Sequence, residues 1–178
     1  MDNLLNSEAT TALILLGILI VTYGILRSIF FPAVKKLANR TSTFIDDLFL
    51  DKKFLNRLSY VIVFIIFNIL TATPEFNIDL FKNVIVSRLI DAAFALLVGL
   101  TILEVLSVFN KISEKIDVLK DRPIKGYIQI LKIIISAFVV IIIFAIVTGQ
   151  SVAYYISGLG ALTAVSYTHL TLPTIPGV

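Results

Sequence analysis

Arg88 and Asp91 stand three residues apart inside a long apolar run, Glu104 lies further along it, and Lys132 sits early in another. Ionised side chains are expensive in hydrocarbon, so charges in such places are what a proton or ion relay would use. Their positions argue for a plainer role. Each falls near an end of its run, where a long side chain reaches the interface or a neighbour of opposite sign. Arg88 is expected to pair with Asp91 or to snorkel, and Arg27 also lies close to an interface. Asn68, inside a shorter run, suits a hydrogen bond to a neighbouring helix. His169 is the single histidine and has no carboxylate at ligand spacing, which argues against a metal site. The chain has no cysteine, and therefore no disulfide, thiolate ligand or cysteine nucleophile. No Ser–His–Asp set, phosphate loop or paired membrane carboxylates occur. The residues point to a protein that is not an enzyme and carries no metal or cofactor.

The elements that hold these residues are set by composition. Of 178 residues, 58% are hydrophobic, and the mean hydropathy is +0.98. A water-soluble domain of this size has too little interior to hide that much apolar surface. Lipid is its natural solvent, which gives an all-α integral membrane fold. The net charge of +3 is small and its cations cluster in loops, so nucleic acid is a poor partner. Crossing hydrocarbon takes roughly 20 apolar residues in a helix. The chain offers such runs at about 11–31, 58–73, 84–109 and 127–147, and begins a fifth near Ser151 that loses its apolar character near Val165. The first run lacks a basic leader: Asp2 and Glu8 are the only charges before Arg27, so it is expected to stay as a helix.

Loop charges orient the spans. Segment 32–57 carries Lys35, Lys36, Arg40, Lys52, Lys53 and Arg57, and segment 110–126 carries Lys111, Lys115, Lys120, Arg122 and Lys125. The N-terminal segment and the turn at 148–151 have no Lys or Arg, and segment 74–83 has only Lys82. Because basic loops stay in the cytoplasm, the N-terminus is expected outside and the last helix runs inward. Phe44, Ile45, Leu48 and Phe49 form an apolar face suited to an interfacial helix. Phe109, Ile112, Ile116 and Leu119 continue the third span as an amphipathic extension that Pro123 ends. Both connectors can rest their basic faces on anionic membrane lipids, although ordinary topology signals explain the same charges.

The last helix carries a pattern of its own. Ala153, Ser157 and Ala161 recur every fourth residue, Gly160 and Ala164 form a second stripe, and Gly158 lies nearby. Small residues at this spacing let two helix backbones approach closely, either within one bundle or between subunits.

Three stretches resemble the small-conductance mechanosensitive channel (MscS) family, in the branch with additional N-terminal transmembrane helices. "DRPIKGYIQILKI" (121–133) is similar to the hairpin leading into the helix before the pore, and "TGQSVAYYISGLGALTAV" (148–165) to the outer turn and first half of the pore helix. "VFNKISEKIDVLKDRPIKG" fits the connector of that branch. The resemblance covers roughly residues 105–165; upstream, only helix count and orientation agree. It implies a homoheptamer in the bacterial inner membrane, opened by tension to release ions and small osmolytes in hypo-osmotic shock. Gly158, Gly160, Ala161 and Ala164 would then pack between adjacent pore helices, while Ala153 and Ser157 extend the stripe by spacing alone.

The family's pore helix continues for several turns into a cytoplasmic domain. Here residues 166–178, "SYTHLTLPTIPGV", read as an anomalous tail, either of sequencing or assembly origin or the end of a genuine short variant, and the chain reads as an N-terminal fragment that should not conduct by itself. The fold expectation is therefore five transmembrane helices, the fifth truncated, with amphipathic cytoplasmic connectors. A different class of function is also open: a helical membrane adaptor binding a partner through the small-residue face. A secondary transporter would want broken helices and midplane polar groups, which are scarce here.

Overall fold

A computed structural model of the chain describes residues 2–38, 51–76, 78–113 and 124–171. The described residues fold as helices: α1 (Asp2–Ile25), a π-helical turn (Leu26–Phe30), α2 (Phe31–Ala38), α3 (Lys52–Thr71), a 3-10 turn (Pro74–Phe76), α4 (Asp79–Lys82), α5 (Val84–Ser113), α6 (Ile124–Thr148) and α7 (Val152–Thr171). The interfacial helix expected around Phe44–Phe49, and the extension through Ile116 and Leu119, lie outside the described residues.

Four helices are long and apolar enough to cross a membrane: Glu8–Lys36, Lys52–Thr71, Val84–Ser113 and Lys125–Thr148. The fifth, α7, spans 20 residues but is not among these four. Of the five expected spans, four are thus helices with the length and apolar character that a crossing needs. Exposed apolar side chains occur on each of the four, with Leu13, Ile69, Ile85 and Ile133 each more than 60% exposed.

Local chemistry sets the helix ends. Asp51 caps α3, its Oδ1 accepting from the amides of Lys53 (2.8 Å) and Phe54 (3.2 Å). That cap starts α3 six residues before the expected start at 58, taking the charged stretch 52–57 into the helix. Asn83 caps α5 in the same way, through the Ile85 amide at 2.9 Å. The π turn has its cause in Pro32, which offers no N–H to the Ser28 carbonyl and whose ring crowds it. The Phe31 N–H instead reaches Leu26 O, five residues back.

The described core sits at the basic end of the bundle. Phe31, Phe54, Leu55 and Val108 are buried together, with Leu26, Leu58, Val105 and Ile112 packed around them. Toward the opposite end, aromatic contacts join the helices: Phe64 stacks on Phe94 at 5.1 Å, and Phe67 meets Phe81 edge-on at 5.4 Å. Along the α5–α6 contact Gly99 is buried, and a Cβ there would lie 2.6 Å from Val139 Cγ2. Two helix backbones come close at that point because one has no side chain, as lipid-embedded packing favours.

Candidate functional site

The turn between α6 and α7 is built from its residues. Gly149 has φ +72°, the left-handed conformation that ends a helix. Gln150 N–H donates to Ala145 O (3.1 Å) and Gly149 N–H to Ile146 O (3.2 Å), the paired bonds of a Schellman stop. Ser151 then starts α7, its Oγ accepting from the Tyr154 amide at 3.2 Å. Thr148 Oγ1 and Tyr155 Oη lie 2.8 Å apart, bridging the two helices across the turn.

Beyond that bridge α7 leaves the bundle. Val152 and Tyr155 are half-buried, and every residue from Ile156 to His169 is exposed. Ala153, Ser157, Gly158, Gly160, Ala161 and Ala164 all lie on this free helix. At about 100° per residue, Ala153, Ser157, Gly160 and Ala164 fall on one side, turned away from Val152 and Tyr155, with Ala161 beside them and Gly158 on a flank. Added Cβ atoms at Gly158 and Gly160 would meet nothing within 4 Å. Ser157 Oγ donates to Tyr154 O at 2.9 Å, which keeps its polar atom against its own helix. A shallow groove of about 600 Å³ runs over Ser157, Gly158 and Ala161, with Tyr154 and Leu162 at its rim.

The helix also outruns the point at which it was expected to stop. It continues through "SYTHLT" to Thr171, six residues past Val165, and carries the exposed His169. No proline lies between Val152 and Thr171, so the backbone meets no obstacle there, and a weak helix former costs only tenths of a kcal/mol per residue, ~0.5.

The charged residues are arranged differently from the sequence expectation. Arg88 does not pair with Asp91: three ion pairs occur among the described residues, and this is not one of them. The Arg88 guanidinium instead lies over the Cα of Gly149, where any Cβ would collide with it. Asn68 Nδ2 donates to Phe64 O at 3.0 Å, within its own helix, so it makes no bridge to a neighbour. The carboxamide follows the i–4 geometry by which short polar side chains bond to their own helix backbone.

A polar cluster at the basic end was not foreseen as a unit. Arg57 of α3 approaches Glu104 of α5 at 3.4 Å and donates to the Leu100 carbonyl. Lys132 of α6 donates to Ser107 Oγ at 2.9 Å. Glu104 is buried, while Arg57 stays partly exposed. Nearby, Lys111 Nζ meets Asp51 Oδ2 at 2.6 Å. Burial pushes the Asp51 carboxyl up, but the Lys111 ammonium and the Phe54 and Lys53 amides together outweigh it and hold the group below the usual carboxylate range. At the other end Lys82 lies 2.5 Å from Asp79 and lowers its pKa. The contacts of Arg57, Lys132 and Lys111 fasten helices to one another, while the Lys82–Asp79 pair lies within α4; among the described residues no three His, Asp or Glu side chains gather as a metal set.

No protein-family model, curated protein or solved structure matches this chain.

Proposed function

We propose that the chain is the membrane portion of a tension-gated channel subunit of the MscS type, with α7 facing the pore in the bacterial inner membrane. One observation supports the reading: among the described residues the small-residue face of α7 is exposed, and added Cβ atoms at Gly158 and Gly160 would meet nothing within 4 Å. Packing within one chain was the ordinary explanation for Ala153, Ser157, Gly160, Ala161 and Ala164, and their exposure leaves that explanation without contacts. A face on which backbones can touch gains from burial against another helix, and identical copies arranged in a ring supply one.

In this reading the N-terminus is outside, α7 runs inward as the fifth span, and the described ends bearing Arg57, Lys111 and Lys125 face the cytoplasm. A narrow apolar pore excludes ions by dewetting, with no plug. Tension favours the conformation of larger area in the membrane plane, because expansion lowers the energy of a stretched bilayer. The spans tilt with the lipid and draw the α7 helices apart along their smooth faces until water enters and osmolytes leave. No charge lies between Thr148 and Val165, so this stretch adds no ion-selecting ring.

The test uses the natural absence of cysteine. Single substitutions Ala153→Cys, Ser157→Cys and Ala161→Cys in the gene product should give disulfide-linked copies of the chain in native membranes. In patch recordings Gly160→Leu should shift the opening tension. Cross-links to a different protein, with no linked copies, would favour the adaptor reading. Exclusive contact of all three positions with lipid removes both.

A further inference from the structure

The π-helical turn places Arg27 beside a cavity of about 280 Å³ between the α1–α2 helix and the start of α3. Lys35 and Lys52 line the same cavity, with Asn56 at its wall and the buried Phe31 and Leu55 as its floor. Three cations share this space, and no described carboxylate answers them. Asp51, next to Lys52 in sequence, is turned to Lys111; Glu104 is engaged by Arg57 and Asp79 by Lys82. Arg27 donates to the neutral Tyr23 hydroxyl at 2.9 Å, which leaves most of its guanidinium donors for another acceptor. Clustered cations repel one another, so the arrangement favours a polyvalent anion with several acceptor oxygens, and phosphate is the group that Arg and Lys bind best.

A second, apolar cavity lies further along the same helix. Lys52, Asn56, Tyr60, Val63 and Phe67 recur at four, four, three and four residues, which puts them in one row on α3. The upper members border the basic cavity, and the lower ones line a second cavity of about 620 Å³ that Leu19 of α1 and Leu97 of α5 complete. The second cavity is lined almost wholly by hydrocarbon and aromatic surface. Tyr23 of α1 stacks on Tyr60 at 5.7 Å between them, a pair with an apolar body and a polar tip, as membrane interfaces favour.

We infer that this crevice holds one anionic glycerophospholipid, its phosphate on Arg27, Lys35 and Lys52 and an acyl chain along Tyr60, Val63 and Phe67. A basic pocket between helices at a membrane surface takes a lipid headgroup, and the apolar row below it takes the chain that a free anion lacks. The inference rests on α1 and α3 crossing a membrane and is independent of conductance. A gene product silent in patch recordings leaves it standing.

The full chain, purified in detergent and stripped of lipid, is titrated with phosphatidylglycerol, phosphatidylcholine or inorganic phosphate while its thermal unfolding is followed. Phosphatidylglycerol should raise the unfolding temperature well above the effect of phosphatidylcholine, and inorganic phosphate should not. The triple variant Arg27→Gln, Lys35→Gln, Lys52→Gln should bind phosphatidylglycerol about a hundredfold more weakly, at roughly a factor of five per cation. The charge-keeping variant Arg27→Lys, Lys35→Arg, Lys52→Arg should retain most of the shift, and Lys82→Gln at the other end should retain all of it. Equal shifts from the two lipids, an undiminished shift in the triple Gln variant, or protection by inorganic phosphate alone would each overturn the assignment.

Discussion

The Asp51 carboxylate accepts from two amides at the start of α3 and receives Lys111 from the end of α5, so one side chain caps a helix and ties it to another. Asp51→Ala removes both and should cost about 1 kcal/mol or somewhat more in a denaturant titration of the detergent-solubilised protein. Asp51→Asn keeps the cap and loses the charge, and it should cost less than the alanine change, because Lys111 is well exposed and its pair is screened. The pH dependence follows from the lowered pKa of Asp51. Its stabilisation is complete above the unfolded carboxylate value of about 4 and drains away as pH falls through the depressed folded value. Wild type should therefore exceed Asp51→Asn at neutral pH and converge with it in acid; a constant gap down the whole pH range contradicts the charge's role. Arg57 and Glu104 present a sharper case, since Glu104 is buried. Arg57→Leu strands that carboxylate and should cost on the order of 2 kcal/mol, short of a fully enclosed pair because Arg57 keeps partial access to water. Arg57→Leu with Glu104→Leu should recover much of that loss, and strict additivity in the cycle would show that the two groups do not communicate.

Helix pairs depend on where side chains are missing. Gly99 lets α5 approach α6 until Val139 fills the space a Cβ would need. Val139 is branched at Cβ and cannot swing aside freely, so Gly99→Ala should destabilise by about 1–3 kcal/mol. Val139→Ala in the Gly99→Ala background should restore part of it, a coupling readable by the same denaturant titration. If the two substitutions simply add, the helices do not meet where the structure places them. Gly158 and Gly160 make the contrast: a methyl group enters open space in the isolated chain, so any penalty there has to come from another copy or partner. The signal for Gly99 was present in the sequence, as Ala95 and Gly99 repeat the small-xxx-small spacing that α7 shows more fully. It is diluted by the surrounding leucines, whereas α7 concentrates small residues within a few turns. Helix starts and stops were legible in part. Gly149 and Pro74 mark ends by backbone restrictions that any reader of the sequence can apply. The early start of α3 depends on whether Asp51 caps or merely sits in a loop, and a charged stretch after it hid the answer from hydropathy.

Across the whole molecule, four apolar helices were legible because a lipid solvent demands uninterrupted apolar length, a constraint written residue by residue. The polar pairings were not, since partners such as Arg57 and Glu104 are set by which helices adjoin and at what rotation. Matching depths, with both near the basic end, narrows the choice without deciding it. The same depth logic makes orientation testable. Among the described residues Arg27, Lys35, Lys36, Lys52, Lys53, Arg57, Lys111, Lys125 and Lys132 gather at one end of the spans, while the opposite end has Arg88 and the Lys82–Asp79 pair. If that end faces the cytoplasm, single cysteines at Glu75 and Gln150 should react with a membrane-impermeant maleimide in intact cells, and those at Lys36 and Lys125 only after permeabilisation. All four side chains are exposed, so failure to react reports the membrane rather than burial. Glu75 precedes α5, Lys125 opens α6 and Gln150 follows it, so two crossings are read independently in one experiment. Labelling of Glu75→Cys and Lys125→Cys from the same side would remove the crossing by α5. Lys125→Cys and Gln150→Cys reacting alike would remove the crossing by α6, and with it the outer position of the turn from which α7 starts.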